Sequence, residues 1–227
     1  MKRIPKPLLI MLQAGATLLT AVSLPSCNGI FEGIYDEPVE VNEFGFTKVE
    51  QATSSGTIYL DATSYTRWNY IDFETFALDT TFIAEDGSET GDVTEGWDFA
   101  VHRYDVKTNG GRVIETSFTS IDELLASGSL PAGTYVEDIW TENRVTIDMS
   151  RMMDGIIIYA PSWYNPELSK WLNVDTSTMP PIYTMSGKVY VLITAEGKAA
   201  AIQLTNYMND SKVKGFMTID YVYPLDF

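Results

Sequence analysis

The chain of 227 residues has one cysteine, Cys27, and one histidine, His102. With a single thiol there is no disulfide to staple the fold, so a core must hold it, and 45% hydrophobic content can supply one. A lone imidazole excludes a zinc site built on several histidines and argues against hydrolases that rely on histidine or thiolate. No glycine-rich nucleotide loop of either common type is present. Paired carboxylates, as in a glycosidase, remain available, but none of the 31 acids falls in a distinctive local pattern, so the chain reads as a non-enzyme. Basic residues are also scarce, 15 against those 31 acids, for a formal charge of −16. Such a surface repels phosphate backbones and anionic lipid, which argues against a nucleic-acid partner.

The cations that exist are spent partly at the front. Lys2, Arg3 and Lys6 precede an apolar run broken by Gln13, Gly15 and Thr17, too short and weak for a stable membrane span, so residues 1–26 read as a secretory signal peptide. Its end, Leu24-Pro25-Ser26-Cys27, resembles a lipobox, in which the cysteine carries a diacylglycerol and becomes the new N-terminus; Pro25 departs from the usual small residue. A lipidated Cys27 would anchor the protein at a membrane, and removing the leader takes three cations, so the formal charge becomes −19. Residues 27–45, glycine-bearing and without a period, read as a tether, and residues 46–227 as the folded domain.

Within the domain the dominant signal is alternation with β-branched and aromatic residues between turn signals. "GTIYLDAT" and "TRWNYIDFET" read as neighbouring strands. "GWDFAVHRYDV" and "RVIETSF" read as a hairpin about Asn109-Gly110, and "KVYVLIT" and "AAAIQLT" as a second. "GIIIYA", apolar on both faces, reads as a covered central strand, and "GFMTIDYVYP" as the last one. Two short helices are expected. "SIDELLASG" has Ser120 as N-cap, Glu123 completing a capping box, Leu124 and Leu125 as the buried face and Gly128 as a stop. "NPELSKWL" starts with Asn165 and Pro166. The expected fold is all-β, of packed antiparallel sheets with two short helices. His102, on a strand face opposite Val101, reads as a histidine hydrogen-bonded to a carboxylate or backbone group, there being no second imidazole to share a metal.

Methionine carries the remaining signal. "IDMSRMMDG" holds Met149, Met152 and Met153, and "STMPPIYTM" holds Met179 and Met185. Met149 continues the inward alternation of Val145 and Ile147, and isolated methionines such as Met208 are gap-fillers of a core. Met152 and Met153 lie beyond the strand beside Asp154-Gly155, in a turn, where apolar side chains imply contact with something. Met179 lies in a loop stiffened by Pro180 and Pro181. Two thioethers approaching one point would suit copper(I) or a haem iron already held by its porphyrin. Trp163, Tyr164, Trp171 and Tyr183 add flat apolar area that a bare ion does not need and a porphyrin would use.

The strings "YLDATSYTRWNYIDFET", "WDFAVHRYDVKTNGG", "NPELSKWLNVDTSTMPPIYTMSGKVYVL" and "GFMTIDYVYP" resemble the HmuY family of Bacteroidetes haemophore-like lipoproteins across nearly the whole mature chain. The resemblance implies an all-β carrier, anchored at the outer membrane, exposed at the cell surface or released, that captures haem from host haemoproteins and passes it to a TonB-dependent receptor. The founding member ligates iron with two histidines, whereas the one histidine here lies in the hairpin string; other members carry methionines at those positions. Carried over position by position, the first axial ligand falls in "DMSRMMDG" and the second in "STMPPIYTM"; within them Met152 and Met179 are chosen, with Met153, Met149 and Met185 as the next candidates. Arg151 and Lys170 are candidate contacts for the haem propionates, which would otherwise meet an acidic surface. The alternative is that the fold is kept as a surface module for a glycan or a host protein, using exposed tryptophans such as Trp163 and Trp171.

Overall fold

The computed structural model describes residues 44–50, 55–178 and 180–227, without the side chains of 47–50, all within the unit Pro38–Phe227. The leader 1–26, the lipidation site Cys27, nearly all of the tether 27–45 and Met179 lie outside the described residues. In chain order the strands are β1 (Gly45–Glu50), β2 (Ser55–Asp61), β3 (Arg67–Asp72), β4 (Ala77–Ile83), β5 (Glu89–Thr90), β6 (Phe99–His102), β7 (Asp105–Thr108) and β8 (Arg112–Glu115). Helix α1 (Ile121–Ser127) comes next, then β9 (Val136–Glu137), β10 (Ile139–Asp148), β11 (Ile158–Tyr164), β12 (Leu172–Asp175), β13 (Ile182–Met185), β14 (Tyr190–Ile193), β15 (Ala199–Met208) and β16 (Lys214–Val222).

Two antiparallel sheets form a sandwich, one of seven strands in the order β1-β2-β16-β15-β14-β8-β9 and one of five in the order β5-β4-β3-β6-β7. Alternation builds the core between them. Ile58 and Leu60 of β2, Ile71 of β3, Phe99 and Val101 of β6, and Ile219 and Tyr221 of β16 meet there. The opposite face of the larger sheet packs Val191, Ala201 and Val222 against Leu124 of α1. The opposite face of the smaller sheet packs Trp68, Tyr70 and Ala100 against Val145, Ile147 and Ala160, which belong to a separate two-stranded hairpin, β10–β11. A second free-standing hairpin, β12–β13, completes the strands. The all-β class and the packed antiparallel sheets are as expected from the alternation.

Several local expectations need correction. The hairpin lies at β6–β7, with Val101 opposite Val106, and not about Asn109-Gly110. Its turn is set by Arg103, which takes a left-handed φ of 53° without being glycine. The Arg103 guanidinium is held in place, donating to the carbonyls of Ala62 and Thr63 and lying 4.4 Å from the centroid of the Tyr65 ring. Asn109-Gly110-Gly111 instead carries the chain from β7 in one sheet to β8 in the other. "GTIYLDAT" and "TRWNYIDFET" likewise fall in different sheets, as β2 and β3. "GIIIYA" is no central strand: Ile156 and Ile157 are exposed ahead of β11, which pairs only with β10.

The helix signals resolve unevenly. The Ser120 side chain accepts from the Glu123 N–H and Gly128 closes α1 in the left-handed region, as read from the sequence. Glu123 also accepts from the Thr119 N–H and hydroxyl, and Leu125 is exposed while Leu124 is buried, because only one side of so short a helix meets the sheet. Asn165 caps as expected, its Oδ1 accepting from the N–H groups of Glu167 and Leu168, but the cap opens a 3-10 turn, Leu168–Trp171, rather than an α-helix.

Two substitutions test this packing. Gly111 brings the crossover against β14, where an added Cβ would meet Leu192 Cδ1 at 2.8 Å and the Ile193 carbonyl oxygen at 2.9 Å. A backbone oxygen cannot step aside, so Gly111→Ala is expected to cost about 1–3 kcal/mol in denaturant unfolding. Asp98 is buried, accepts from the Phe73 N–H at 2.8 Å, and is pushed up to about 6 by burial, reinforced by the charges of Asp72, Glu74 and Glu196. The folded state therefore binds this proton more tightly than the unfolded chain, and the carboxylate destabilises the fold progressively as pH rises through the range from 3.8 to about 6. Asp98→Asn keeps an acceptor for Phe73 and removes the charge. Thermal unfolding should show it a few degrees more stable than the parent at about pH 7.5, with the advantage shrinking at about pH 5.

Candidate ligand-binding site

The two free-standing hairpins are joined by residues 165–171, and that connector is docked on the open edge of β7. β7 is the outermost strand of the smaller sheet, so one side of its backbone has no strand to pair with. The connector satisfies it: the Asn165 N–H donates to the Val106 carbonyl at 2.6 Å, and the Val106 N–H donates to Ser169 Oγ at 2.9 Å. Asp138, just ahead of β10, accepts from the Thr108 N–H and hydroxyl and from Asn165 Nδ2. Arg144 of β10 donates to Asp105 at 2.7 Å, a carboxylate pushed up to about 6 by burial even with the guanidinium beside it.

Both hairpins wall one cleft of 240 Å³, lined by Arg144 and Tyr164 of the first, Leu172 and Asn173 of the second, and Pro166, Ser169 and Lys170 of the connector. Two cations thus gather here in a strongly acidic protein. The Arg144 guanidinium lies 5.5 Å from the Tyr164 ring, and the exposed Lys170 pairs with Glu167 at 2.6 Å. From the cleft, β10 continues through Val145–Asp148 to the turn holding Met152, and β12 continues through Val174 to its end at Asp175.

The methionines are unequally placed. Met152 and Met153 open a 3-10 turn, Met152–Asp154, closed by Gly155 at φ 75°. Met152 is half-buried, while Met153 is 84% exposed, the most exposed large apolar side chain described. Met149 is half-buried one residue past β10, after the buried Val145 and Ile147. Met185 packs against the main core at the root of β13. Ile156 and Ile157 beside the first turn, and Ile182 after the second, are exposed as well, so both hairpin ends present apolar surface.

Of the flat residues, Tyr164 lines the hairpin cleft, and Tyr183 is half-buried, stacked on Tyr207 and covered by Lys214 at 4.0 Å. Trp171 requires correction: it is fully buried in the main core, its indole N–H donating to the Tyr104 carbonyl, and offers no surface to a ligand. Trp163 is exposed, but it stands near the root of its hairpin opposite Trp140, five residues and therefore about 17 Å of strand from the first residue of β11. Arg151 is exposed in the Met152 turn with Asp154 at 3.6 Å. Arg144 is the cleft residue that sequence reasoning missed; its position in a bulged stretch of β10 gave it no pattern to be found by. His102 is wholly buried, its Nε2–H donating to the Tyr65 carbonyl at 2.7 Å, and burial holds it down at about 4, so it is a neutral structural side chain. Among the described residues no cluster of three or more His, Cys, Asp or Glu side chains forms a metal site.

Comparison with known proteins identifies the fold and the family. The family model for the HmuY protein matches residues 64–221. Among solved structures, a candidate lipoprotein of Bacteroides fragilis is 50% identical over 84% of this chain and all of its own, with a TM-score of 0.77. A candidate HmuY-like haem-binding protein of Bacteroides vulgatus is 54% identical over 82% of this chain and all of its own, with a TM-score of 0.75. The apo form of an HmuY analogue from Tannerella forsythia is 26% identical over 77% of this chain and 97% of its own, at a TM-score of 0.61. No curated protein matches. Match length, identity and a shared fold lead to one conclusion: this chain belongs to the HmuY family.

Proposed function

We propose that the protein is a haem-binding lipoprotein that carries haem without chemically altering it. The observation that supports this most directly is the pair of hairpins rooted at one cleft, the first running out to a turn that bears Met152 and Met153 beside exposed isoleucines and the second to the exposed Ile182. Haem is cargo here, and the donor set suits it: neutral thioethers are weak ligands for a bare ion but adequate for an iron whose four equatorial positions are filled by porphyrin. Met152 and Met179 are the proposed axial ligands, with Met153 next because its sulfur is so open, and Met149 and Met185 behind it.

Tyr164 supplies flat packing surface in the cleft, whereas the Tyr183 ring is taken up by Tyr207 and Lys214. Lys170 in the cleft and Arg151 at the turn supply charge for the propionates. Haem taken from host haemoproteins would be passed to a TonB-dependent receptor by a protein anchored through Cys27 at the outer membrane, exposed at the cell surface or released from it. The family identity and the lipoprotein description of the Bacteroides fragilis relative support that placement.

Soft thioether sulfur favours ferrous over ferric iron, so the mature chain should bind haem more tightly with dithionite than without it, read by absorbance titration. Met152→Ala and Met179→Ala should each weaken ferrous binding by about tenfold or more, equivalent to about 1.4 kcal/mol, and shift the spectrum. Equal affinity in both oxidation states together with unchanged spectra in both variants would sink the ligand assignment. Lys170→Ala should weaken binding by about two- to fivefold at low salt and by less at about 1 M salt, because an exposed charge is screened.

A further inference from the structure

A second cleft, of 480 Å³, lies at the root of the first hairpin and shares no residue with the cleft just described. Its walls are Trp97 and Trp163, its floor is the Thr108–Gly111 crossover, and its rim carries Glu137, Asp138 and Asn109. That volume falls within the range of small-ligand sites, about 300–1,000 Å³.

We propose that this cleft is a saccharide-binding site. A sugar ring has one apolar C–H face and a rim of hydroxyls that both donate and accept. It therefore needs a flat apolar wall beside planar polar side chains, which is what this cleft offers. Trp163 leaves 53% of its surface in water, and Trp140, opposite it on β10, leaves 52%, although each buries part of the other edge to face at 5.6 Å. A cross-strand tryptophan pair serving stability alone gains from burial, yet about half of each residue is left exposed, with Trp163 on the wall of a cavity.

The rim groups differ in availability. Asp138 is fully employed by Thr108 and Asn165, whereas the exposed Glu137 carboxylate and the Asn109 amide have no side-chain partner among the described residues. Lys107 in the cleft wall argues against a cationic ligand. Its ammonium already occupies the aromatic box of Trp68, Tyr70 and Trp97, at 4.3, 4.9 and 5.9 Å, and is paired with Glu89. A neutral ligand avoids that buried positive charge, and an anionic one would meet Glu137 and the acidic surface.

The test uses the mature chain with N-acetylchitotriose, lactose and mannotriose, read by indole fluorescence and calorimetry. At least one sugar should saturate at micromolar to millimolar concentration. Trp163→Ala and Asn109→Ala should each weaken it by about tenfold, equivalent to about 1.4 kcal/mol. Asn109→Ala leaves the tryptophan pair intact and guards against a purely structural effect of the first variant. Haem titration of Asn109→Ala should match the parent, so a failure of the haem assignment and a failure of this one are read separately. Absence of saturation by all three sugars, equal binding by both variants, or binding of an oligoarginine peptide in preference to the sugars would overturn the proposal.

Discussion

The open edge of β7 is the constraint on which the rest of this structure depends. Four residues, Asp105 to Thr108, are all buried although no strand lies on one side of them. An unpaired edge is an invitation to aggregation, and each buried N–H or C=O left unmade costs about 1–3 kcal/mol. The connector 165–171 and Asp138 fill those positions, and the side chains fix the rest, with Asp105 to Arg144, Lys107 to Glu89, and Thr108 to Asp138. Val106 alone turns to the main core. One short strand thereby closes the sandwich and fixes the root of both hairpins.

The Lys107–Glu89 pair shows how the electrostatics derive from that placement. It joins β7 to β5, the two edge strands of the smaller sheet, beneath the β10–β11 hairpin. Burial opposes both charges, lowering the lysine and raising the glutamate. For Glu89 the lysine and the hydroxyls of Tyr70 and Thr81 win, so its carboxyl is held below the usual range. Removing Glu89 would leave the lysine charge in its aromatic box without a carboxylate partner, which is worse than having neither. A protein with so few cations therefore commits Lys107, Arg103 and Arg144 to structure, leaving few to meet an anionic group, and Lys170 at the cleft is one of them.

The strands themselves were legible from β-branched and aromatic runs between turn signals, with burial on one face writing a period of two into β2 of the sandwich and into the end of β10. Sheet membership was not. β6 and β7 read as one strand because the turn at Arg103 uses no turn residue; its left-handed backbone is held by contacts to Ala62 and Thr63, forty residues away in sequence. The Asn109-Gly110 signal was real as a turn, but a turn fixes only local direction, and here it sends the chain to the other sheet. Trp171 looked like Trp163 in sequence, and only the docking of the connector on β7 decides that one is core and the other surface. The turn at Met152 and Met153 was legible by contrast, since apolar side chains in a turn contradict their surroundings wherever the turn points.

Two-stranded ribbons are marginal in water without something to pack on. The first hairpin solves this on one side only: Val145, Ile147 and Ala160 cover Trp68 and Tyr70, while Trp140, Trp163 and the Met152 turn stay open to water. The second is shorter, with four residues in each strand, and exposes Ile182 and Thr184. Rigid roots and lightly packed ends are what a carrier requires. Capture needs surfaces that are not already satisfied by the protein, and release needs them to survive uncovered. A ligand touching both ends would supply the contacts that the hairpins lack, so binding and local stability are linked, and the ends should be the segments whose hydrogen exchange slows most when the site is filled.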